Sequence, residues 1–191
     1  VSGNMSLRAN DRNEDLFYRY VNNPEMTGNS ERYSRQKEDD LGYDINVNLK
    51  QEFNRKGEEL TANFARGRDT EEGVNTFLQY YTESRHLIED RRNETTESGS
   101  NTNIQVDYTL PFSSTSKFGT GYRTIIRTSD ETQYSQYRGS SNALVPDYNI
   151  SNDFFLKSSV HALYVNYENQ LTPEFGFQAG LRAEQAYLDT E

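Results

Sequence analysis

Carboxylates and two imidazoles are the side chains of this sequence that could support chemistry. His86 lies close in sequence to Glu83, Glu89 and Asp90, and acidic pairs stand at residues 39–40 and 71–72. A metal site needs three or four such ligands that converge at short range. The sequence has neither zinc-ligand spacing nor a glycine-hinged acidic calcium loop. We therefore predict solvated side chains here, and no metal or cofactor.

The sequence gives no support for an enzyme. It contains no cysteine, and it lacks a Gly-x-Ser-x-Gly elbow, a glycine-rich phosphate loop and a His-Glu-x-x-His motif. Two carboxylates could in principle act as a glycosidase pair, but none stands out from the many acidic residues. We expect a protein without catalytic residues.

Charge and composition narrow the class of partner. The chain has 20 basic and 30 acidic residues, for a net charge of -10, whereas nucleic-acid binding requires clustered Lys and Arg. Only 32% of residues are hydrophobic, and the mean hydropathy is -1.00, which is too little for a thick core. Aromatic residues nevertheless make up 13% of the chain, unlike most disordered chains. Either much of the chain is solvated loop, or something else covers one face of a single packed layer.

Apolar and polar side chains alternate in residues 160–189, and this pattern predicts a β-hairpin. Two strands flank the turn Leu-Thr-Pro-Glu, in which Pro173 cannot donate to a β-ladder. In the second strand, Phe177, Ala179 and Leu181 point to one side. Gln178, Arg182 and Glu184 point to the other. One face is apolar and the other is polar.

The same pattern occurs three times. Hairpins are predicted at about residues 41–68, 101–128 and 155–190, with turns that begin near Asn54, Ser113 and Leu171, about 59 residues apart. Polar segments at residues 9–40, 69–100 and 129–154 are predicted to be long loops that connect them. All short turns then lie at one end of an antiparallel up-and-down meander of about seven strands, and all long loops lie at the other.

This asymmetry favours a membrane β-barrel, with short periplasmic turns and long extracellular loops. Soluble β-sandwiches usually turn every ~8 to 12 residues and carry loops at both ends. No run of ~18 apolar residues occurs, but barrel strands do not show such runs. Phe175, Phe177, Tyr164, Tyr167 and Tyr187 are candidates for an aromatic girdle at the membrane border.

Two segments also resemble a known family. The run HALYVNYENQLTPEFGFQAGLRAEQAYLD, above all Gly180-Leu181-Arg182 followed by Glu184, resembles a hairpin of outer-membrane β-barrels related to TonB-dependent receptors. The stretch NIQVDYTLPF followed by SSTSKFGTGYR resembles another hairpin of these barrels. The resemblance covers most of the chain, from about Leu41 to the end.

The resemblance implies a location in the outer membrane and a receptor that imports a nutrient or metal chelate. It also implies a barrel of about 22 strands and an N-terminal plug that contacts an energy-transducing partner in the periplasm. Neither the plug nor the segment that contacts this partner is visible here, so residues 1–191 are expected to be a single segment of the barrel wall. The expected partners are outer-membrane lipid, this periplasmic protein through a region outside the chain, and an unidentified small-molecule ligand.

Residues on the polar face are the candidates for a translocation path. They are Asp44, Lys50, Asp107, Arg123, Arg127, Arg182 and Glu184. Any wide barrel also needs charged residues to fill its wet interior, which is the simpler explanation. In the predicted loops, Tyr134, Tyr137 and Tyr148 are candidate ligand contacts, since tyrosine combines a rigid ring with a polar tip.

Two alternatives remain open on the sequence. One is a soluble β-sheet module that recognises carbohydrate or protein through its tyrosine-rich loops. The other is a structural barrel without a transport role. If the isolated segment folds in water, we expect it to self-associate, because its apolar face and both sheet edges need cover.

Overall fold

A computed structural model describes residues 1–20, 28–139 and 141–191. These residues form one antiparallel sheet in which each long strand pairs with the next along the chain. The strands are β1 (Ser2–Arg19), β2 (Asn29–Glu52), β3 (Glu59–Tyr81), β4 (Leu87–Pro111), β5 (Ser116–Arg138), β6 (Leu144–Pro146), β7 (Asn152–Gln170) and β8 (Gly176–Thr190). The short β6 pairs with the end of β5, just before β7 takes over as its neighbour. The prediction of an all-β antiparallel meander is confirmed.

The three short turns lie together at one end of the sheet, which we call the turn end. The amide of Phe53 donates to the carbonyl of Glu58 at 3.0 Å, and Gly57 has φ +84°, which favours glycine. The amide of Phe112 donates to the carbonyl of Ser116 at 2.9 Å, and that of Leu171 to Phe175 at 2.9 Å. The predicted positions of all three turns are therefore confirmed. We call the opposite end the loop end, although residues 82–86 join β3 to β4 there in a connection of only five residues.

The long loops were predicted wrongly. Most of residues 9–40, 69–100 and 129–154 is strand, so that β2, β3, β4 and β5 contain 24, 23, 25 and 23 residues. Residues 21–27 of the first segment and residue 140 of the third lie outside the described residues. In these extensions both faces carry polar side chains, so the sequence shows no alternation, yet the backbone ladder continues without it. The strands are about twice as long as the ~9 to 11 residues that cross a membrane.

The register divides the sheet into two faces. We call the face that carries Leu41, Tyr43, Ile45, Val47 and Leu49 the apolar face, and the other the polar face. Among the described residues, the buried hydrophobic side chains are Phe77 and Ala162, and both lie on the polar face by register. On the apolar face, by contrast, Leu181 is 78% exposed and Leu163 is 63% exposed. One layer of sheet therefore leaves its apolar side uncovered.

Aromatic rings mark the border of the apolar face at the turn end. Phe53 packs edge-on against Tyr108 with 6.1 Å between ring centroids, and Tyr167 contacts both Phe112 and Phe177 at 6.5 and 5.9 Å. Amphipathic rings prefer such a border between lipid and water. The girdle assignment of Tyr164 is wrong, however, because its hydroxyl bonds Asp107 on the polar face. The described residues contain no helix long and apolar enough to span a membrane.

Candidate functional site: the polar face

Seven residues predicted to share a face do so in the structure. Strand pairing places Asp44 and Lys50 of β2 on the same side as Asp107 of β4, by way of the odd-numbered residues of β3. Arg123 and Arg127 of β5 continue this side, and the pairing of β7 with β8 adds Arg182 and Glu184. Alternation alone was sufficient to find these positions, because side chains alternate strictly along an unbroken strand.

These seven residues do not form one connected network. Near the turn end, the Lys50 ammonium lies 3.0 Å from Glu52 and 2.9 Å from Glu59. Arg123 donates to Asn103 at 3.1 Å, and Arg182 pairs with Glu184 on its own strand. The charges are thus neutralised locally in several places, which is typical of a wet wall and not of a single catalytic centre.

Glycines on the polar face make room for polar side chains from the neighbouring strand. A Cβ at Gly67 would lie 2.6 Å from the Asp44 carboxylate, and one at Gly99 would lie 2.8 Å from that of Asp69. Gly121 is covered by Asp107 and Tyr164 in the same way. Alternation in the sequence did not single out these glycines, because the cross-strand register decides which side chain each glycine leaves room for.

A shallow groove of about 790 Å³ crosses the middle of the polar face. Its floor is made of small residues on successive strands, namely Ser6, Gly42, Gly67, Gly99, Ser129 and Ser158. Asp44, Asp69, Asn101 and Arg127 also line it. The groove therefore combines a floor of small residues with a lining of mixed charge and hydrogen-bonding groups.

A row of four carboxylates borders this groove on the side toward the loop end. Asp40 pairs across β2 and β3 with Glu71, Glu71 pairs with Glu97 of β4, and Glu97 pairs with Glu131 of β5. Desolvation and the negative charges of Asp40, Glu97 and Glu38 raise the pKa of Glu71 above its usual value. The nearest cation is Arg8, whose guanidinium lies 3.9 Å from Asp40. Sequence reasoning missed this row, because the four residues stand in segments that it assigned to loops.

These carboxylates do not form a metal centre. Within residues 1–20, 28–139 and 141–191, no three His, Cys, Asp or Glu side chains are arranged to hold an ion. Side chains on adjacent strands are separated by the strand spacing of roughly 4.8 Å, so the row is spread across the sheet and not gathered at a point. Its effect is a band of negative potential.

Nearer the loop end, a cluster of polar side chains fixes residues 147–151, the turn between β6 and β7 that we call the bulge. The Arg91 guanidinium donates to Asp147 at 2.8 Å, to Glu89 at 2.9 Å and to the Ser135 hydroxyl at 2.9 Å. Burial lowers the pKa of Arg91, but its hydrogen bonds to Asp147 and Glu89 outweigh this effect and raise it. Ser135 is fully buried beneath the bulge, and its hydroxyl donates to Asn93 at 2.7 Å.

The three candidate tyrosines do not form one surface. Tyr134 and Tyr137 lie in β5 and, being three residues apart, point to opposite faces. Tyr137 is on the polar face and 41% exposed, whereas Tyr148 stands in the bulge and is 81% exposed. The structure therefore places Tyr137, but not Tyr134, on the polar face near the loop end, and it places Tyr148 in the segment between β6 and β7.

An antiparallel wall with one apolar and one polar face, bordered by aromatic rings, has the architecture of a segment from an outer-membrane β-barrel. A family model described as "Outer membrane protein beta-barrel family" matches residues 51–191, which is well over half of the chain. The chain belongs to this family, and its location is the outer membrane. A search of curated proteins gave no significant match.

Proposed function

We propose that this chain is part of the wall of an outer-membrane receptor or transporter resembling TonB-dependent receptors. In this proposal the polar face lines the path of an imported nutrient or metal chelate. The observation that carries it is the groove, because a wall that only filled a barrel interior would not need small residues on six successive strands. A periplasmic energy-transducing protein would act through a region outside this chain.

The charge of the groove suggests which solutes it favours. Asp44 and Asp69 line it, and the row from Asp40 to Glu131 borders it. Of the lining arginines, Arg127 points to the polar face, whereas Arg66 and Arg68 point to the apolar face by register. A cleft lined by one sign of charge raises the local concentration of opposite charges. We expect cationic and uncharged polar solutes to pass more readily than anions of the same size.

Uptake by cells that produce the intact protein tests this role. Asn101→Trp places a large ring on the groove floor and should reduce uptake of the transported solute strongly. Thr102→Trp is the matched control, since this adjacent side chain points to the apolar face and does not line the groove, and an interfacial ring is tolerated there. Equal uptake by the two variants, at equal amounts in the outer membrane, would argue against transport along this face. Loss of uptake on collapse of the inner-membrane proton gradient would support energised import, and its persistence would contradict it.

The exposed bulge suggests where a ligand first makes contact. Arg91 and Asp147 hold the bulge in place, so Tyr148 presents its ring without a large cost in conformational entropy. Tyr148→Ser is expected to weaken ligand binding by about 1 kcal/mol or more, as for a contact aromatic, while Tyr134→Ser leaves it unchanged. Similar effects of both substitutions in a binding titration would refute this contact.

A further inference from the structure

Two arginines, Arg66 and Arg68, follow the apolar side chains on the apolar face of β3. From the turn end, this face of β3 carries Leu60, Ala62, Phe64, Arg66 and Arg68 in succession. Arg66 and Arg68 are both exposed. A charged side chain is costly when it faces the middle of a bilayer, so the depth of these two residues matters.

Their depth matches the edge of the lipid-facing band. Arg68 stands ten residues beyond Glu58, the last residue of the first short turn. Ten residues of a strand that is tilted by ~45° span about 33 Å along the strand and about 23 Å in height. The apolar band of outer-membrane barrels is about 25 Å tall. Arg68 therefore lies at the border on the loop side, and Arg66 lies one step below it, within reach of the border through its long side chain.

The neighbours of the two arginines are apolar on one side and hydroxyl-bearing on the other. Across β2, Arg66 pairs with Ile45 and Arg68 pairs with Tyr43. Across β4, they pair with Thr102 and Ser100. The Arg68 guanidinium donates to the hydroxyl of Ser98 at 3.3 Å.

Neither arginine has an acidic partner within ion-pair distance among the residues that the structure describes. This distinguishes them from arginines of the same face farther toward the loop end. There, Arg35 lies 2.9 Å from Asp11, and Arg92 lies 2.7 Å from Glu94. The two guanidinium groups at the membrane border are thus available to an external anion.

We propose that Arg66 and Arg68 bind the phosphate of a lipid head group at the outer surface of the membrane. Guanidinium groups bind phosphate through paired N–H donors, and residues two apart on a strand stand roughly 7 Å apart on one face, so both can reach one phosphate. The hydroxyls of Ser98 and Ser100 supply further donors. Phe64 and its cross-strand partner Val47 lie next toward the turn end, where the acyl chains of the same lipid would run, which favours a lipid head group over free phosphate.

Native mass spectrometry or lipid titration of the intact protein tests the proposal. The protein is held in phosphatidylcholine with a minor fraction of phosphatidic acid, whose head group is a phosphate monoester. Removal of a basic residue near an anionic surface corresponds to about a fivefold loss of affinity, so Arg66→Gln with Arg68→Gln should weaken binding about twentyfold or more. Arg92→Gln is the matched control, because this guanidinium already pairs with Glu94, and its binding should stay unchanged.

Three results would overturn the proposal. They are unchanged binding by the double variant, an equal loss in Arg92→Gln, and equal binding of diacylglycerol, which lacks the phosphate. Binding of inorganic phosphate with the same affinity and the same dependence on both arginines would show a free-anion site instead of a lipid site. Circular dichroism of each variant verifies that the sheet is folded, so that a loss of binding is not a loss of structure.

Discussion

Neutralising the centre of the acidic row should stabilise the protein. Glu71→Gln removes a charge that stands directly opposite Asp40 on one side and Glu97 on the other. Like charges opposite each other across strands destabilise a sheet by roughly 0.2–1 kcal/mol per pair. Two pairs are relieved, but these carboxylates are largely hydrated and screened. We therefore expect the free energy of unfolding at neutral pH to rise by about 0.5–1 kcal/mol.

The pH dependence of this gain has a definite sign. Glu71 lies beyond Arg68, outside the lipid-facing band, and its pKa in the folded protein is raised above the usual value near 4.5. The folded state therefore holds the proton more tightly than the unfolded state, and stability is lost as pH rises through this range. Glu71→Gln removes this loss. Its advantage should be full above the folded-state pKa and should disappear at acid pH, where the native Glu71 is protonated.

Urea unfolding of the protein in detergent micelles, followed by far-ultraviolet circular dichroism, measures the gain. Glu174→Gln is the matched control, since Glu174 is an exposed carboxylate in the last short turn and should show no gain. Added salt should shrink the difference between Glu71→Gln and the native protein. A Glu71→Gln variant that is less stable at neutral pH, or equally advantaged at acid pH, would refute the electrostatic argument.

Three further outcomes follow from the faces and the edges of the sheet. Gly121→Ala should lower the melting temperature at a cost of about 1–3 kcal/mol, because its Cβ would meet Asp107 and Tyr164, whereas Gly119→Ala meets no atom within 4 Å and should be tolerated. Leu181→Lys on the apolar face should impair folding into vesicles by about 2–4 kcal/mol, and Gln178→Lys on the polar face should not. In plain buffer, light scattering should show self-association of the chain that detergent reverses; a monodisperse folded monomer would contradict this.

Local sequence signals were sufficient for the part of each strand that crosses the membrane. There, one face meets lipid and the other meets water, so polarity alternates and assigns residues such as Asp107 and Arg182 to a face. The turns were equally readable, because Gly57 and Pro173 interrupt the ladder in ways that are visible from residue type alone. Alternation and turn residues can be recognised without knowing how the strands pair.

The same rules failed where both faces of the sheet contact water. Apart from Val74, residues 69–76 and 89–100 carry no large apolar side chain, so the sequence offered no period from which to recognise these parts of β3 and β4. Their strand structure depends on hydrogen bonds to the neighbouring strands, which the polarity of the residues does not reveal. The lesson is that polarity without alternation predicts water on both sides, and does not by itself predict a loop.

The sequence by itself determined the strand period, the positions of the short turns and the separation into an apolar and a polar face. Only the tertiary structure decided the register, and with it the row from Asp40 to Glu131, the glycine floor of the groove and the bulge held by Arg91 and Asp147. The physical reason is that alternation is a property of one strand, whereas a cross-strand neighbour is fixed by pairing between segments that the sequence keeps tens of residues apart.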